Sequence, residues 1–173
     1  GSADMLEKIG YKISNNVVDL ENSLSNKNFC FLFAQNHHSA MKNVINVRKN
    51  LATRTIFNLL GPLSNPAAVK RQSTGVYNSK WIKPMAETLK NLGSEMAWVV
   101  HGSDGLDELT TTGPSFVAEL KDGEIKTFEV SPEDAGITRT KPENLKGGDP
   151  DANARALNAV LNGEPGPYRD VVL

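Results

Sequence analysis

The sequence predicts an α/β protein, and the order of its apolar segments is the main reason. Short apolar runs of strand length alternate with segments in which apolar residues recur every three or four positions. This is the pattern of strands alternating with helices. The length of 173 residues corresponds to one domain or part of one. With 39% hydrophobic and 23% charged residues, the composition is that of a globular protein rather than a disordered or fibrous one.

Charge and cysteine content narrow the class of protein further. Nineteen basic and twenty acidic residues leave a net charge of −1, which argues against a non-specific nucleic-acid binder. The longest apolar run, residues 29–34, is far shorter than the ~20 residues of a membrane span, and no basic-then-apolar leader opens the chain. The single cysteine, Cys30, excludes an internal disulfide. We therefore expect a cytoplasmic protein with no nucleic-acid or membrane partner.

The N-terminal third is predicted to contain three helices and one strand. The first helix spans residues 3–9 and ends at Gly10, and the second begins near Asn16. Residues 29–33 are aromatic-rich and too short for a helix, so they are predicted to form a buried strand. The third helix is predicted at residues 38–51.

The rest of the chain is predicted to alternate strands with helices and then to form a hairpin. The dipeptide Asp122-Gly123 between two alternating runs is a strong hairpin signal. Asp149-Pro150 fits a helix cap followed by proline at the first helical position. The predicted elements are strands at 71–76, 96–100, 115–120 and 125–130, helices at 78–93 and 149–163, and a surface connection at 131–148.

A helical stripe is the first candidate for chemistry. His38, Met41, Ile45 and Arg48 are spaced by three, four and three residues, which places them on one helical face. The guanidinium of Arg48 either extends to water from an apolar face or binds a planar anion such as a carboxylate through two hydrogen bonds. His38 either hydrogen-bonds to or stacks on the same ligand, or it caps its helix or simply has its hydrogen bonds satisfied within the protein. Periodicity leaves both questions open.

The second candidate is an acidic loop at residues 102–108, directly after the strand predicted at 96–100. Ligands of α/β sheets bind beyond the carboxyl ends of strands. Asp104, Asp107 and Glu108 offer three carboxylates within five positions, and Mg²⁺ usually takes only one or two from the protein. The alternative is a solvated acidic turn.

The third candidate is the apolar stretch at residues 56–66. It is broken by Gly61-Pro62 and Asn65-Pro66, so it is predicted to be neither a long helix nor a central strand. We expect a shaped loop with its apolar side chains held inside. Such a loop either walls an aromatic pocket or covers the core.

Separated motifs along the chain share one resemblance. They are residues 1–4 (GSAD), 33–38 (FAQNHH), 47–49 (VRK), 54–63 (RTIFNLLGPL), 100–102 (VHG), 105–108 (GLDE), 147–149 (GGD) and 168–170 (YRD). Together, and in order over essentially the whole chain, they resemble the anthranilate phosphoribosyltransferase family.

The resemblance implies a fold and an activity. The fold would be a central, mostly parallel sheet flanked by helices, like that of nucleoside phosphorylases, without most of the family's small helical domain. The activity would be transfer of a 5-phosphoribosyl group from phosphoribosyl pyrophosphate to anthranilate, giving N-(5-phosphoribosyl)anthranilate and pyrophosphate in tryptophan biosynthesis. The whole enzyme would be a homodimer joined through the helical domain.

The resemblance also implies roles for particular residues, in a reaction that depends on positioning and a metal rather than on a catalytic nucleophile. Arg48 would bind the anthranilate carboxylate, and Ser2 would lie near phosphoribosyl pyrophosphate. Asp107 and Glu108 would hold Mg²⁺. The anthranilate channel would be lined by His38, Gly61 and Pro62.

Three motifs of the family do not occur in this sequence: its Gly-Thr-Gly-Gly-Asp loop, its Asn-x-Ser-Thr segment and its Lys-His-Gly-Asn-Arg motif. We therefore expect residues 1–173 to be a partial catalytic α/β domain that is inactive on its own. Two other interpretations compete with this one. The chain could belong to a related enzyme of the same fold with another substrate, or it could be a non-catalytic core that binds carboxylates.

Overall fold

The computed structural model describes residues 2–37, 50 and 53–173. These residues form seven α-helices, three short 3₁₀ turns and four β-strands. The helices are α1 (Ser2–Lys8), α2 (Val17–Lys27), α3 (Ala34–His37), α4 (Phe57–Leu63), α5 (Ile82–Asn91), α6 (Pro150–Leu161) and α7 (Pro167–Val172). The strands are β1 (Arg71–Gly75), β2 (Met96–Gly102), β3 (Ser115–Lys121) and β4 (Glu124–Val130).

The chain divides into two compact units. One comprises Gly1–Ile56 and Gly147–Asn158, and the other comprises Phe57–Lys146 and Ala159–Leu173. The sheet belongs entirely to the second unit, and its strand order is β1-β2-β3-β4. The predicted α/β class is therefore confirmed, with strands close to the predicted positions.

The sheet is mixed, whereas the resemblance implied a mostly parallel one. Among the described strands, β1 and β2 are parallel, and β2–β3 and β3–β4 are antiparallel. The physical reason is the connections. Helix α5 provides the crossover that a parallel pair requires, whereas the loop at residues 103–114 and the tight turn at residues 122–123 return the chain antiparallel.

Helix α5 forms the core of the second unit against one face of the sheet. Met85, Ala86 and Leu89 recur at helical spacing and are buried, packed with Val99 and Ala118 in one apolar cluster. A 3₁₀ turn at Ser79–Trp81 precedes the helix. Pro84 is tolerated because it is only the third residue of α5, where its missing N–H has no helical partner.

In the first unit, α2 begins as predicted. The side chain of Asn16 accepts a hydrogen bond from the backbone N–H of Val18 at 2.9 Å, and Leu20 is the buried residue of the helix. The helix ends at Asn28, whose φ of 55° is left-handed.

The predicted buried strand at residues 29–33 is wrong. These residues are irregular, and the side chain of Phe29 is 48% exposed. The N–H of Phe31 donates to the Tyr11 hydroxyl at 3.1 Å. The aromatic rings pack locally, Tyr11 on Phe29 and Phe31 on Phe33. Tertiary partners therefore override a β-forming composition.

The C-terminal helices confirm the predicted cap. The Asp149 carboxylate accepts a hydrogen bond from the N–H of Ala152 at 2.7 Å, and α6 begins at Pro150. The predicted surface connection at residues 131–148 contains two 3₁₀ turns, Pro132–Ala135 and Pro142–Leu145. Within the described part of the chain, no helix is both long enough and apolar enough to cross a membrane.

Candidate functional site

The acidic loop lies at the carboxyl end of β2 and is held by backbone hydrogen bonds. The N–H of Gly102 donates to the carbonyl of Leu106 at 2.8 Å, and the N–H of Gly105 donates to the carbonyl of Gly102 at 3.0 Å. Gly105 has a φ of 93°, a left-handed conformation that glycine adopts at little cost. The N–H of Ser103 donates to the carbonyl of Pro114 at 3.0 Å, which closes the loop near the start of β3.

The carboxylate of Asp104 is hydrogen-bonded to residues that follow it in the chain. Its Oδ2 accepts hydrogen bonds from the hydroxyls of Thr110 at 2.6 Å and Thr112 at 2.7 Å, and its Oδ1 accepts the N–H of Leu106 at 3.2 Å. Partial burial alone raises the pKa of Asp104, but these hydrogen bonds outweigh it and hold the pKa below its usual value. Of the three carboxylates predicted for this loop, Asp104 is the one with an evident structural role.

Asp107 is placed by the end of β1. A Cβ built on Gly75 would overlap the backbone carbonyl of Asp107, so the loop crosses the strand at a point where no side chain fits. Gly75 is the last residue of β1 and pairs with Val100 of β2. The carboxyl ends of the parallel strands therefore both contribute to placing the acidic pair, as expected for ligand sites of α/β sheets.

Asp107 and Glu108 form an exposed pair of adjacent carboxylates. Neighbouring protein atoms partly withdraw the Glu108 carboxyl from water, and this together with the charge of Asp107 raises its pKa. The raised pKa means that the ionised form of Glu108 is disfavoured at this position, and a bound cation would favour it. In the described part of the chain, no three His, Cys, Asp or Glu side chains are grouped to hold a metal. Two carboxylates nevertheless fit Mg²⁺, which fills its remaining positions with water and substrate phosphates.

Gly61 and Pro62 lie in a short helix, not in the predicted loop. Helix α4 spans seven residues and contains Pro62 near its end, where proline removes one internal hydrogen bond and limits further extension. Leu59 is buried in the core, as the prediction of inward apolar side chains required, whereas Ile56 is 58% exposed. Apart from the backbone of its own helix and its chain neighbours, no atom of the described residues lies within 4 Å of a Cβ built on Gly61, so no described side chain fills the space beside this position.

Strand β1 connects α4 with the acidic loop. The side-chain amide of Gln72 donates to the carbonyl of Pro62 at 3.3 Å, and Gly75 faces Asp107 three residues further on. Three residues of strand correspond to about 10 Å. Pro62, a predicted channel residue, and Asp107, a predicted metal ligand, thus lie against one strand at nearby positions.

Three predicted site residues remain: Ser2, His38 and Arg48. Ser2 is the exposed first residue of α1 and belongs to the first unit. Arg48 and His38, together with the helix predicted at residues 38–51, lie outside the described residues.

Sequence reasoning missed two features of the site. The role of Gly75 depends on Asp107, which is distant in sequence, so no local signal points to it. The hydroxyls of Thr110 and Thr112 did carry a signal, because a run of threonines closely follows an Asp-Gly turn and offers donors to its carboxylate.

Comparison with known proteins shows the family to which the chain belongs. Residues 1–173 match the model of the glycosyl transferase family, a/b domain. The chain is 60% identical over its whole length to an anthranilate phosphoribosyltransferase of Rhodopseudomonas palustris (strain BisA53), of which it covers 51%. It is 58% identical to that of Parvibaculum lavamentivorans, again covering 51%. The chain thus spans about half the length of the curated relatives it matches.

Solved structures of anthranilate phosphoribosyltransferases also superpose on this chain. The anthranilate phosphoribosyltransferase of Thermus thermophilus superposes on 99% of this chain with a TM-score of 0.88 and 41% identity, and 51% of that structure is covered. The Saccharomyces cerevisiae enzyme in complex with 4-fluoroanthranilate gives a TM-score of 0.90 at 28% identity, covering 99% of this chain and 51% of that one. A structure of the same yeast enzyme in complex with PRPP and Mg gives 0.88 at 29% identity, covering 99% and 50%.

Proposed function

Because the chain belongs to the glycosyl transferase family, as a match to its a/b domain, we propose that it is the partial catalytic domain of an anthranilate phosphoribosyltransferase. The enzyme would transfer the 5-phosphoribosyl group of phosphoribosyl pyrophosphate to the nitrogen of anthranilate, a step of tryptophan biosynthesis. The observation that carries the proposal is 60% identity over all 173 residues with an enzyme of that name.

The acidic loop would supply the metal site. Asp107 and Glu108 present adjacent carboxylates beyond the end of β2, and the raised pKa of Glu108 supports a site suited to a cation. Mg in a yeast relative's complex with PRPP supports the choice of metal. When bound, Mg²⁺ would offset the negative charge that grows on the oxygens of the departing pyrophosphate.

Other residues would bind and orient the two substrates. The guanidinium of Arg48 would hold the anthranilate carboxylate through two parallel hydrogen bonds. His38, Gly61 and Pro62 would line the channel for the aromatic ring, and the space beside Gly61 supports this for α4. Ser2 would contact phosphoribosyl pyrophosphate.

The reaction would not require a covalent intermediate between the protein and the ribosyl group. The anthranilate amine is uncharged but only weakly nucleophilic, and no side chain needs to form a bond to the ribosyl carbon. Pyrophosphate carries several charges and is a good leaving group, so its departure would run ahead of nitrogen attack. Holding the amine in line with the ribosyl carbon would then account for much of the rate.

The proposal extends to location and assembly. The single cysteine is compatible with a reducing cytoplasm. The family resemblance supports a homodimer formed through the helical domain, and the half-length match to the relatives supports a partial domain. It follows that the 173-residue chain alone would not turn over substrate.

The test is the loss of anthranilate fluorescence in the presence of phosphoribosyl pyrophosphate and Mg²⁺. The 173-residue chain is assayed beside a chain of the relatives' full length that carries this segment. We expect turnover by the longer chain only.

Two outcomes would contradict parts of the proposal. Failure of the longer chain with anthranilate, together with turnover of another amine or nucleobase, would assign a same-fold enzyme of different specificity. Turnover by the 173-residue chain would show that its own residues suffice for the chemistry.

A further inference from the structure

Asp104 is surrounded by donors although it lies beside the acidic pair. We propose that Asp104 is a positioning residue, which fixes the loop carrying Asp107 and Glu108 without itself ligating the metal. This inference rests on the proposed function, since it concerns the site that Mg²⁺ would occupy.

The first argument is where the network attaches. The donors to Asp104 Oδ2, the Thr110 and Thr112 hydroxyls, lie six and eight residues further along the chain. Asp107 and Glu108 lie between these attachment points, so the hydrogen bonds close the base of the loop that carries them. The N–H of Thr110 also donates to the Ser115 hydroxyl at 2.9 Å, which anchors the network to the first residue of β3.

The second argument is the strength and direction of the bonds. Hydroxyl-to-carboxylate distances of 2.6 and 2.7 Å are those of short, charge-assisted hydrogen bonds. The N–H of Thr112 donates to Thr110 Oγ1 at 3.1 Å, so the Thr110 hydroxyl accepts one bond and donates another. Its proton is thereby directed to Asp104.

The third argument is that Asp104 has little capacity left for a metal. A carboxylate has about four lone-pair sites, and three donors already face this one. A Cβ built on Gly102 would come within 2.6 Å of Asp104 Oδ1 and 3.1 Å of Thr110 Cγ2. The carboxylate is thus seated against the backbone of β2, and turning it toward a cation would break its two shortest hydrogen bonds.

The experiment titrates Mn²⁺, without substrates, into a chain of the relatives' full length and follows free Mn²⁺ by electron paramagnetic resonance. Loss of a residue that orients metal ligands typically weakens affinity by about 10- to 100-fold. We expect an increase of that order in the Mn²⁺ Kd for Asp104→Ala and a smaller increase for Thr112→Val. Thr112→Ser keeps the hydroxyl and should restore the wild-type Kd, and Asp107→Asn reports on the metal site itself.

The combined variant separates positioning from ligation. If Asp104 acts through Thr112, adding Thr112→Val to Asp104→Ala should produce no further loss. Independent effects of the two substitutions, or a loss with Asp104→Ala that neither Thr110→Val nor Thr112→Val shares, would make Asp104 a ligand and overturn the inference. Thermal unfolding of each variant confirms that the titrated protein is folded, and Thr112→Val remains informative if Asp104→Ala does not fold.

The reference variant separates this inference from the proposed function. A raised Kd for Asp107→Asn with an unchanged Kd for Asp104→Ala would overturn the positioning role and leave the metal site standing. Unchanged affinity in both variants would remove the metal site and the positioning role together.

Discussion

Gly75, at the end of β1, has a hydrogen atom where other residues have a side chain, and this leaves room for the backbone of Asp107. Any larger side chain would occupy the same space as the Asp107 carbonyl. Strand and loop are closely packed, so the conflict is relieved only by moving one of them. The position of Asp107, a proposed metal ligand, therefore depends on Gly75, which is not itself proposed to contact the metal or a substrate.

We predict that Gly75→Ala weakens metal binding as well as the fold. The added methyl displaces the Asp107 backbone, and overpacking of this kind typically costs about 1–3 kcal/mol. Calorimetric titration with Mg²⁺ should show at least a severalfold higher Kd. Ser73→Ala, an exposed position of the same strand, is the matched control and should leave the Kd unchanged. Equal affinities for the two variants would contradict the prediction.

The hairpin of β3 and β4 shows how an element is specified by its turn. Asp122 and Gly123 have φ values of 51° and 76°, the left-handed pair that a two-residue turn requires. The turn sets the register in which Lys121 pairs with Glu124. On the sheet, Trp98 donates to the Glu119 carboxylate at 2.9 Å and packs edge-on against Phe128 of β4.

We predict that Gly123→Ala destabilises this element through its backbone alone. Beyond the two chain neighbours, no atom of the described residues lies within 4 Å of a Cβ at Gly123, so the cost is that of a left-handed conformation for a residue with a side chain, about 1–2 kcal/mol. Urea denaturation should show a lower free energy of unfolding with an unchanged m-value. Asp122→Gly, at the neighbouring left-handed position, should cost less, and the reverse order would refute the explanation.

The response of the whole molecule to acid reflects carboxylates that the fold stabilises in charged form. The pKa of Asp104 is lowered as described above. That of Glu133 is lowered mainly by a hydrogen bond from Arg139, and that of Asp151 mainly by a hydrogen bond from Lys8. Groups with lowered pKa contribute stability above their unfolded values, 3.8 for aspartate and 4.5 for glutamate. That stability is lost as the pH falls through the folded pKa.

We predict that Asp104→Asn reduces the acid sensitivity of the protein. In the wild type, the free energy of unfolding should fall as the pH drops below about 4, because the unfolded chain then binds more protons than the native one. The variant lacks the Asp104 contribution, so it should be less stable than the wild type at pH 7, with the difference narrowing below the usual aspartate value of 3.8. Urea denaturation between pH 7 and pH 3 measures both curves, and parallel curves would contradict the prediction.

Local signals in the sequence were sufficient for much of the architecture. Alternating periodicities indicated an α/β fold, Asn16 and Asp149 marked helix starts, and Asp122-Gly123 marked the hairpin. Each of these signals acts within a few residues, so the physical cause and the pattern lie in the same stretch of sequence. The acidic loop and its position after β2 were predictable for the same reason.

Contacts between distant residues decided the rest. The aromatic run at 29–33 is irregular, and the N–H of Phe31 donates to the hydroxyl of Tyr11, twenty residues away in the sequence, instead of to a neighbouring strand. Asp104 stabilises the loop because the hydroxyls of Thr110 and Thr112 donate hydrogen bonds to its carboxylate. The backbone of Asp107 can lie against β1 because Gly75 has no side chain. The sequence by itself determined most of the strands and helices after residue 70, the family resemblance and the residue types of the acidic loop. Only the tertiary structure showed that the Asp104 carboxylate is hydrogen-bonded within the loop and that the backbone of Asp107 lies against Gly75, because hydrogen bonds and steric exclusion depend on distances in space.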